Sequence, residues 1–239
     1  KILNTEYSEK MDELYSLGGT SGGARPKILT EIDGEDWIIK FPTYVDERDA
    51  GMIEYQYLIC AGKCGINMPQ TRLFHSDKCQ GYFGVKRFDR KKENNETKKI
   101  HMLTAAALLE IYFNQPCMDY NDLMKLTKIL TNNNWDDIDN MYRRMCFNVY
   151  AHNRDDHAKN FTYIYDEENE TWRLSPAYDL TYSNTYYGEH TTTVAGNGRN
   201  PGIKELTEVG VNAGLKKQYC EEVAGEIRGL VEDMLNNYI

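Results

Sequence analysis

Near residue 90 the sequence changes its hydrophobic period, and that change limits the possible folds more than any other feature. Upstream, apolar residues alternate in short runs. "KILTEIDGEDWIIKF" (27–41) is two such runs around Asp33-Gly34, a dipeptide that accepts the positive φ angles of a two-residue hairpin turn. "TRLFHSDKCQGYFGVKRFD" (71–89) has the same shape, with its turn between Asp77 and Gly81. Between the hairpins, "DAGMIEYQYLICAGKCG" sets Ala50, Ile53, Tyr57, Cys60, Ala61 and Cys64 on one helical face and stops at Gly65. The charged stretch "RKKENNETKK" (90–99) reads as an exposed linker. Beyond it the period becomes helical: a mostly apolar helix over 102–113, another over 120–133 with Leu123, Leu126, Thr127 and Leu130 on its stripe, and a third over 137–152 with Ile138, Met141, Met145 and Val149. "NFTYIYD" and "TWRLS" flank the turn "EENE" as a further hairpin, and a last helix is expected over about 216–237. The class is α+β: a small sheet with one helix, then a larger, mainly helical unit.

At 239 residues the chain is long for one small core and short for two independent domains, so one two-lobed unit is expected. An apolar content of 41% supports a real interior. The net charge of -9 argues against a chain that coats nucleic acid by itself. The six cysteines, at 60, 64, 79, 117, 146 and 220, include no C-x-x-C pair. They read as small apolar residues of a reducing, cytoplasmic compartment. No apolar run approaches the ~18 residues that span a bilayer, and "KILNTEYSEK" lacks the apolar core of a signal peptide.

The densest chemistry lies in "AHNRDDHAKNF" (151–161), directly after a helical run. Taken alone, the loop could be a metal site, a catalytic loop or a solvated turn. His152 and His157 could begin a zinc site, yet no third ligand follows at zinc spacing, so a hydrogen-bonding role suits His157 better. Asp155 and Asn160 stand five apart, as do the Asp and Asn of the protein-kinase pattern H-R-D-x-x-x-x-N. That spacing lets one loop aim a carboxylate at a substrate hydroxyl and an amide oxygen at Mg²⁺. Asp179 in "SPAYDL", after the hairpin, stands where the D-F-G Asp of kinases completes the metal shell. Hard oxygen donors suit Mg²⁺, with phosphate and water filling the rest. The order of elements is likewise that of a protein-kinase-like fold.

"GGARPK", "VKRFDR", "IHMLTAAALLE", "HNRDDHAKNF" and "SPAYDL", in this order from about residue 18 to the end, resemble the HipA-type serine/threonine kinases, the toxins of bacterial toxin–antitoxin modules. The resemblance implies ATP and Mg²⁺ as cofactors, Asp155 as catalytic Asp, and Asn160 and Asp179 as metal ligands. It implies that Lys40 in "WIIKFP" holds the phosphates, that Lys86 and Phe88 lie at the hinge beside the adenine, and that His157 belongs to the nucleotide site. Glu54 matches a helix glutamate able to pair with Lys40. "LGGTSGGARPK" (17–27) corresponds to the phosphate-side loop, where Gly22 and Gly23 allow close backbone approach. In the family a loop hydroxyl here is itself phosphorylated, and Thr20 and Ser21 are both candidates.

On this resemblance the N-lobe covers 1–89, the hinge about 86–90 and the C-lobe 90–239, with catalytic loop 151–161 and metal-binding segment 175–180. It also implies an aminoacyl-tRNA synthetase as the protein substrate and a helix-turn-helix antitoxin as partner, with no direct nucleic-acid binding by this chain alone and no membrane. The N-terminal subdomain of longer members has no match within these 239 residues, and a separate chain is a candidate to supply it. Two other classes share the fold: a small-molecule kinase of the aminoglycoside or choline type, and a non-catalytic nucleotide-binding module. The strings "GGARPK" and "RFDR" count against the first, and the intact set Lys40, Asp155, Asn160 and Asp179 counts against the second.

Overall fold

The Asp33-Gly34 turn forms as its chemistry requires, with φ of 53° and 78°. It joins β1 (Lys27–Ile32) to β2 (Glu35–Lys40) as an antiparallel pair in which Ile32 faces Glu35. The computed structural model describes residues 11–13, 25–42, 49–93, 96–111, 118–184 and 187–239. The second hairpin, β3 (Thr71–Phe74) and β4 (Tyr82–Lys86), completes a four-stranded sheet of order β1-β2-β4-β3. Alternation divides its side chains between two faces. Trp37, Ile39, Phe41, Phe74 and Tyr82 build one apolar cluster with Ile32 and Met11. Phe83 points the other way, into the main core.

Helix α1 (Ala50–Lys63) covers that second face. Its approach is close because Gly51 carries no side chain: a Cβ there would strike the Gly81 carbonyl oxygen. Gly65, at φ 77°, reverses the chain after α1, and the Ile66 amide bonds back to the Ala61 carbonyl at 3.1 Å. The buried α1 residues Tyr57, Cys60 and Ala61, with Cys64 just past the helix, share one core with Cys220, Val223, Ile227 and Val231 of the last helix. Tyr57 also donates a hydrogen bond to the Ala151 carbonyl at 2.9 Å. The sheet therefore reaches the helical part through α1.

Two expectations fail. Within 90–99, where a linker was expected, β5 (Arg90–Glu93) and β6 (Glu96–Lys99) form an exposed antiparallel pair. Its lysines reach acidic groups on both sides, Lys92 to Glu31 at 2.8 Å, and Lys98 to Glu167. The helix expected over 102–113 is strand β7 (Met102–Thr104) followed by a single helical turn, α2 (Ala105–Leu108). Leu103 pairs with Tyr163 of a later strand, and Thr104 caps the turn through the Ala107 amide. A short apolar run cannot by itself distinguish a buried strand from a helix, and the pairing partner decided here.

The other helices follow their capping signals. Asp119 and Asp122 form a capping box at the start of α3 (Tyr120–Leu130), directly after β8 (Met118–Asp119). Asn134 caps α4 (Trp135–Tyr150), with Asp136 and Asp137 in its first turn. The hairpin β9 (Thr162–Asp166) and β10 (Thr171–Leu174) forms as read, with β7 as its third strand. The short β11 (Thr192–Thr193) pairs in parallel with β8. Helices α5 (Ile203–Asn212) and α6 (Lys217–Leu235) close the chain. The result is the α+β, kinase-like two-lobed fold that the order of elements predicts.

Candidate active site

Helix α4 delivers the loop. It ends at Tyr150, His152 takes a positive φ of 52°, and the Asn153 amide bonds back to the Asn148 carbonyl at 3.0 Å. An irregular stretch then leads to a 3-10 turn, Ala158–Asn160. Within it the two adjacent aspartates separate: Asp155 is exposed, whereas Asp156 is 1% exposed. Asn160 donates its side-chain amide to the Asp155 carbonyl at 2.8 Å. With the nitrogen so engaged, its amide oxygen is the atom suited to a cation.

Asp179 comes from the segment after β10 and also has a positive φ, 53°. A non-glycine residue is held there only when its surroundings enforce it, a condition met often at functional sites. Lys40, at the end of β2, bonds both the Asp179 carboxylate and Glu54 of α1, the latter at 2.6 Å. Arg25 approaches the other Glu54 oxygen at 3.5 Å. Sheet, helix and C-terminal segment thus meet at one ammonium.

Charge follows this geometry. Burial opposes the charged form of Lys40, but Glu54 and then Asp179 outweigh it and hold the ammonium well above its usual value. Burial pushes the Glu54 carboxyl up against the pull of Lys40. Asp179 would also rise on burial, yet Lys40 keeps it below the ordinary carboxylate range. Asp155, though exposed, lines the cleft, and partial desolvation there raises it together with the like charges of Asp156 and Asp179, with His157 opposing. The His157 Nε2 lies 3.8 Å from the Asp155 carboxylate. Neighbouring carboxyls whose surroundings push them in opposite directions are an arrangement frequent in functional sites.

Two connected cavities share Lys27, Lys40, Glu54 and Asp179. One is walled by Ile38, Leu58, Phe83, Val85 and Met102 and includes Lys86, Phe88 and Tyr178; the other holds Asp155, His157, Asn160 and Asp179. The first offers an apolar slot and the second a polar floor, the division a nucleotide needs between base and phosphates. Lys86 pairs with Glu35 at 2.9 Å, and the Phe88 ring stands 5.9 Å from that of Tyr178. Gly22, Gly23, Thr20 and Ser21 lie outside the described residues. Among the described residues no three His, Cys, Asp or Glu side chains form a ready metal cage. Mg²⁺ in nucleotide sites takes one or two carboxylates plus phosphate and water, so the oxygen donors of Asn160 and Asp179 fit that ion.

Nothing local in the sequence gives Tyr178 or Asp156 a role. The Tyr178 hydroxyl donates to the Lys159 carbonyl at 2.6 Å, tying the 3-10 turn to the residue before Asp179.

A family model described as "HipA-like C-terminal domain" matches residues 19–235. The chain belongs to this family. One relative of this HipA-like chain is "Putative kinase Y4dM" of Sinorhizobium fredii, 26% identical over 182 residues. The match covers 70% of this chain and 42% of that protein, so the chain spans less than half the relative's length. Among solved structures, HipA from the Shewanella oneidensis HipA, HipB and operator DNA complex superposes with a TM-score of 0.76 at 16% identity, covering 97% of this chain and 64% of that one. The Helicobacter pylori proinflammatory kinase CtkA superposes at 0.54 and 11% identity, covering 88% of this chain and 93% of that one. At such identities the superpositions speak to the fold, which both share.

Proposed function

We propose that this HipA-like chain is an ATP-dependent serine/threonine protein kinase, the toxin of a toxin–antitoxin module. The observation that carries the reading is the convergence of Lys40, Glu54, Asp155, Asn160 and Asp179 on adjoining cavities between sheet and helices. Lys86 and Phe88 mark the hinge beside the base, within a division of the chain into 1–89 and 90–239. Lys40, kept charged by Glu54 and Asp179, meets the phosphate chain as a point charge. Asp155 orients the attacking hydroxyl and takes its proton as the oxygen–phosphorus bond forms and the bond to the leaving ADP oxygen breaks. Asn160 and Asp179 hold Mg²⁺, which supplies charge neutralisation on the phosphates. His157 steadies Asp155 and lines the phosphate side. Positioning and charge account for most of the rate in such a site.

The substrate class in this reading is an aminoacyl-tRNA synthetase, and Thr20 or Ser21 is the residue of self-phosphorylation. A helix-turn-helix antitoxin is the partner, a role in keeping with the HipB-bound state of the Shewanella relative. The compartment is the cytoplasm; among the described residues no helix is long and apolar enough to cross a membrane. The test is intact mass before and after Mg-ATP, beside Asp155→Ala. A gain of phosphoryl groups in the wild type alone, mapped to Thr20 or Ser21, supports the reading. A starting mass without phosphate, no gain, no transfer to a panel of synthetases and no ATP affinity would reject it.

A further inference from the structure

The buried aspartate beside Asp155 has an unusual set of partners. One Asp156 carboxylate oxygen accepts from the Tyr120 hydroxyl at 2.9 Å and faces the His190 Nδ1 at 3.0 Å. The other accepts from the Thr192 amide at 3.1 Å, and the Asp156 carbonyl accepts from the Thr192 hydroxyl. The Tyr120 hydroxyl in turn accepts from the Asn148 side-chain amide at 2.9 Å, and Asn148 accepts from Asn153 at 3.0 Å. Asp156, Tyr120, Asn148, Asn153, His190 and Thr192 are all buried. One carboxylate therefore fastens the start of α3, the last turns of α4 and β11 to the loop.

The loop is held on both sides of Asp155. The Thr191 amide and hydroxyl each bond the Arg154 carbonyl at 3.0 Å, and the Ser183 amide bonds the His152 carbonyl at 3.1 Å. The exposed Asp155 side chain has His157 beside it only at 3.8 Å. Its direction is thus set by backbone, and the backbone is set from beneath.

We propose that Asp156 is a positioning residue for Asp155: it clamps the 190–193 segment and the Tyr120–Asn148 pair so that the neighbouring carboxylate points into the cleft. The proposal rests on the kinase reading. It predicts an effect on turnover and little on nucleotide binding, because none of the clamp residues but Asn153 lines the nucleotide cavities. A support of ordinary kind would lower only the melting temperature.

The experiment uses Tyr120→Phe, Asp156→Asn and their combination, assayed well below the melting point of each. Loosening of the clamp should lower kcat about ten-fold or more, since small displacements of a reacting group are expensive, with KM for ATP within about two-fold of wild type. The double variant should be little worse than the worse single one, the mark of residues acting through one network. Hydrogen exchange should quicken in 153–161 as well as in 190–193 for Asp156→Asn. Unchanged kcat in both single variants, with only a lower melting temperature, overturns the proposal. A wild type that transfers no phosphoryl group to any acceptor sinks the kinase reading instead. Exchange then decides the clamp alone, and unaltered exchange over 153–161 rejects it.

Discussion

Asp155 and Asp179 are both carboxylates of the same cleft, and their surroundings push them in opposite directions. In the proposed mechanism Asp155 must be ionised to accept a proton, so its raised value places the acid limb of kcat/KM above the ~3.9 of a free aspartate. A pH–rate profile measures this; an acid limb at or below that value would separate Asp155 from the rate. Linkage adds a stability sign. A carboxyl whose folded value is raised favours folding below the unfolded value and loses that support as pH rises through the window up to the folded one. At neutral pH the charged Asp155 is therefore a burden, and Asp155→Asn should melt slightly higher than wild type while turnover falls about 10²–10⁴-fold. A lower melting temperature with normal turnover would contradict both halves. Lys40 and Glu54 behave differently because both are enclosed. Lys40→Met strands a buried carboxylate, at a cost of about 3–5 kcal/mol, and Lys40→Met with Glu54→Gln should recover much of that stability but none of the activity. Denaturant unfolding reads the first, phosphoryl transfer the second.

At the scale of elements, the site depends on how closely α1 sits on the sheet, because α1 carries Glu54 and β2 carries Lys40. Gly51 permits that approach, its missing Cβ leaving room for the Gly81 carbonyl. Gly51→Ala must displace helix or strand, since the obstructing atoms, the Gly81 carbonyl and the Phe83 amide nitrogen, are backbone. A loss of about 1–3 kcal/mol is expected, with weaker ATP binding as Glu54 draws away from Lys40. Calorimetric titration checks this, and wild-type ATP affinity in a destabilised variant would uncouple helix position from the site. Legibility in the sequence followed the range of the interactions. The Asp33-Gly34 turn and the α3 and α4 caps depend on neighbours within a few residues, and the text of the sequence contains them. The β7 strand depends on Tyr163, some sixty positions away, so its apolar residues carried a helical look with no local signal against it. The β5–β6 hairpin is polar on every exposed position, which removes the alternation that reveals a strand. For the candidate site, the Asp155–Asn160 spacing was legible and Lys40 came only through the family resemblance, whereas the inward turn of Asp156 needs Tyr120, His190 and Thr192, each more than thirty residues distant.

For the molecule as a whole, the change of sequence texture near residue 90 is not a boundary in the core. Tyr57, Cys60 and Ala61 of α1 pack with Val223, Ile227 and Val231 of α6, and Phe83 of the sheet lies in the same cluster. The Tyr57 bond to Ala151 carries this continuity to the root of the 151–161 loop. Ion pairs from the β5–β6 hairpin add less, because they are exposed, and exposed pairs typically contribute ~0–1 kcal/mol. A shared core predicts one cooperative transition rather than separate melting of sheet and helices. Ligand binding at the interface should then raise the entire transition: Mg-ATP at about a hundred times its dissociation constant adds about 2.7 kcal/mol, or roughly 5–10 °C for a chain of this size. Asp179→Ala should lose most of the Mg²⁺-dependent part of that shift, since in the proposed reading it removes the anionic cation ligand while Lys40 remains for the phosphates. Scanning calorimetry with and without Mg²⁺ distinguishes the outcomes. Two resolved transitions of which nucleotide moves only the first would mean that the sheet melts by itself, and that α1 belongs to it more than to the helices it touches.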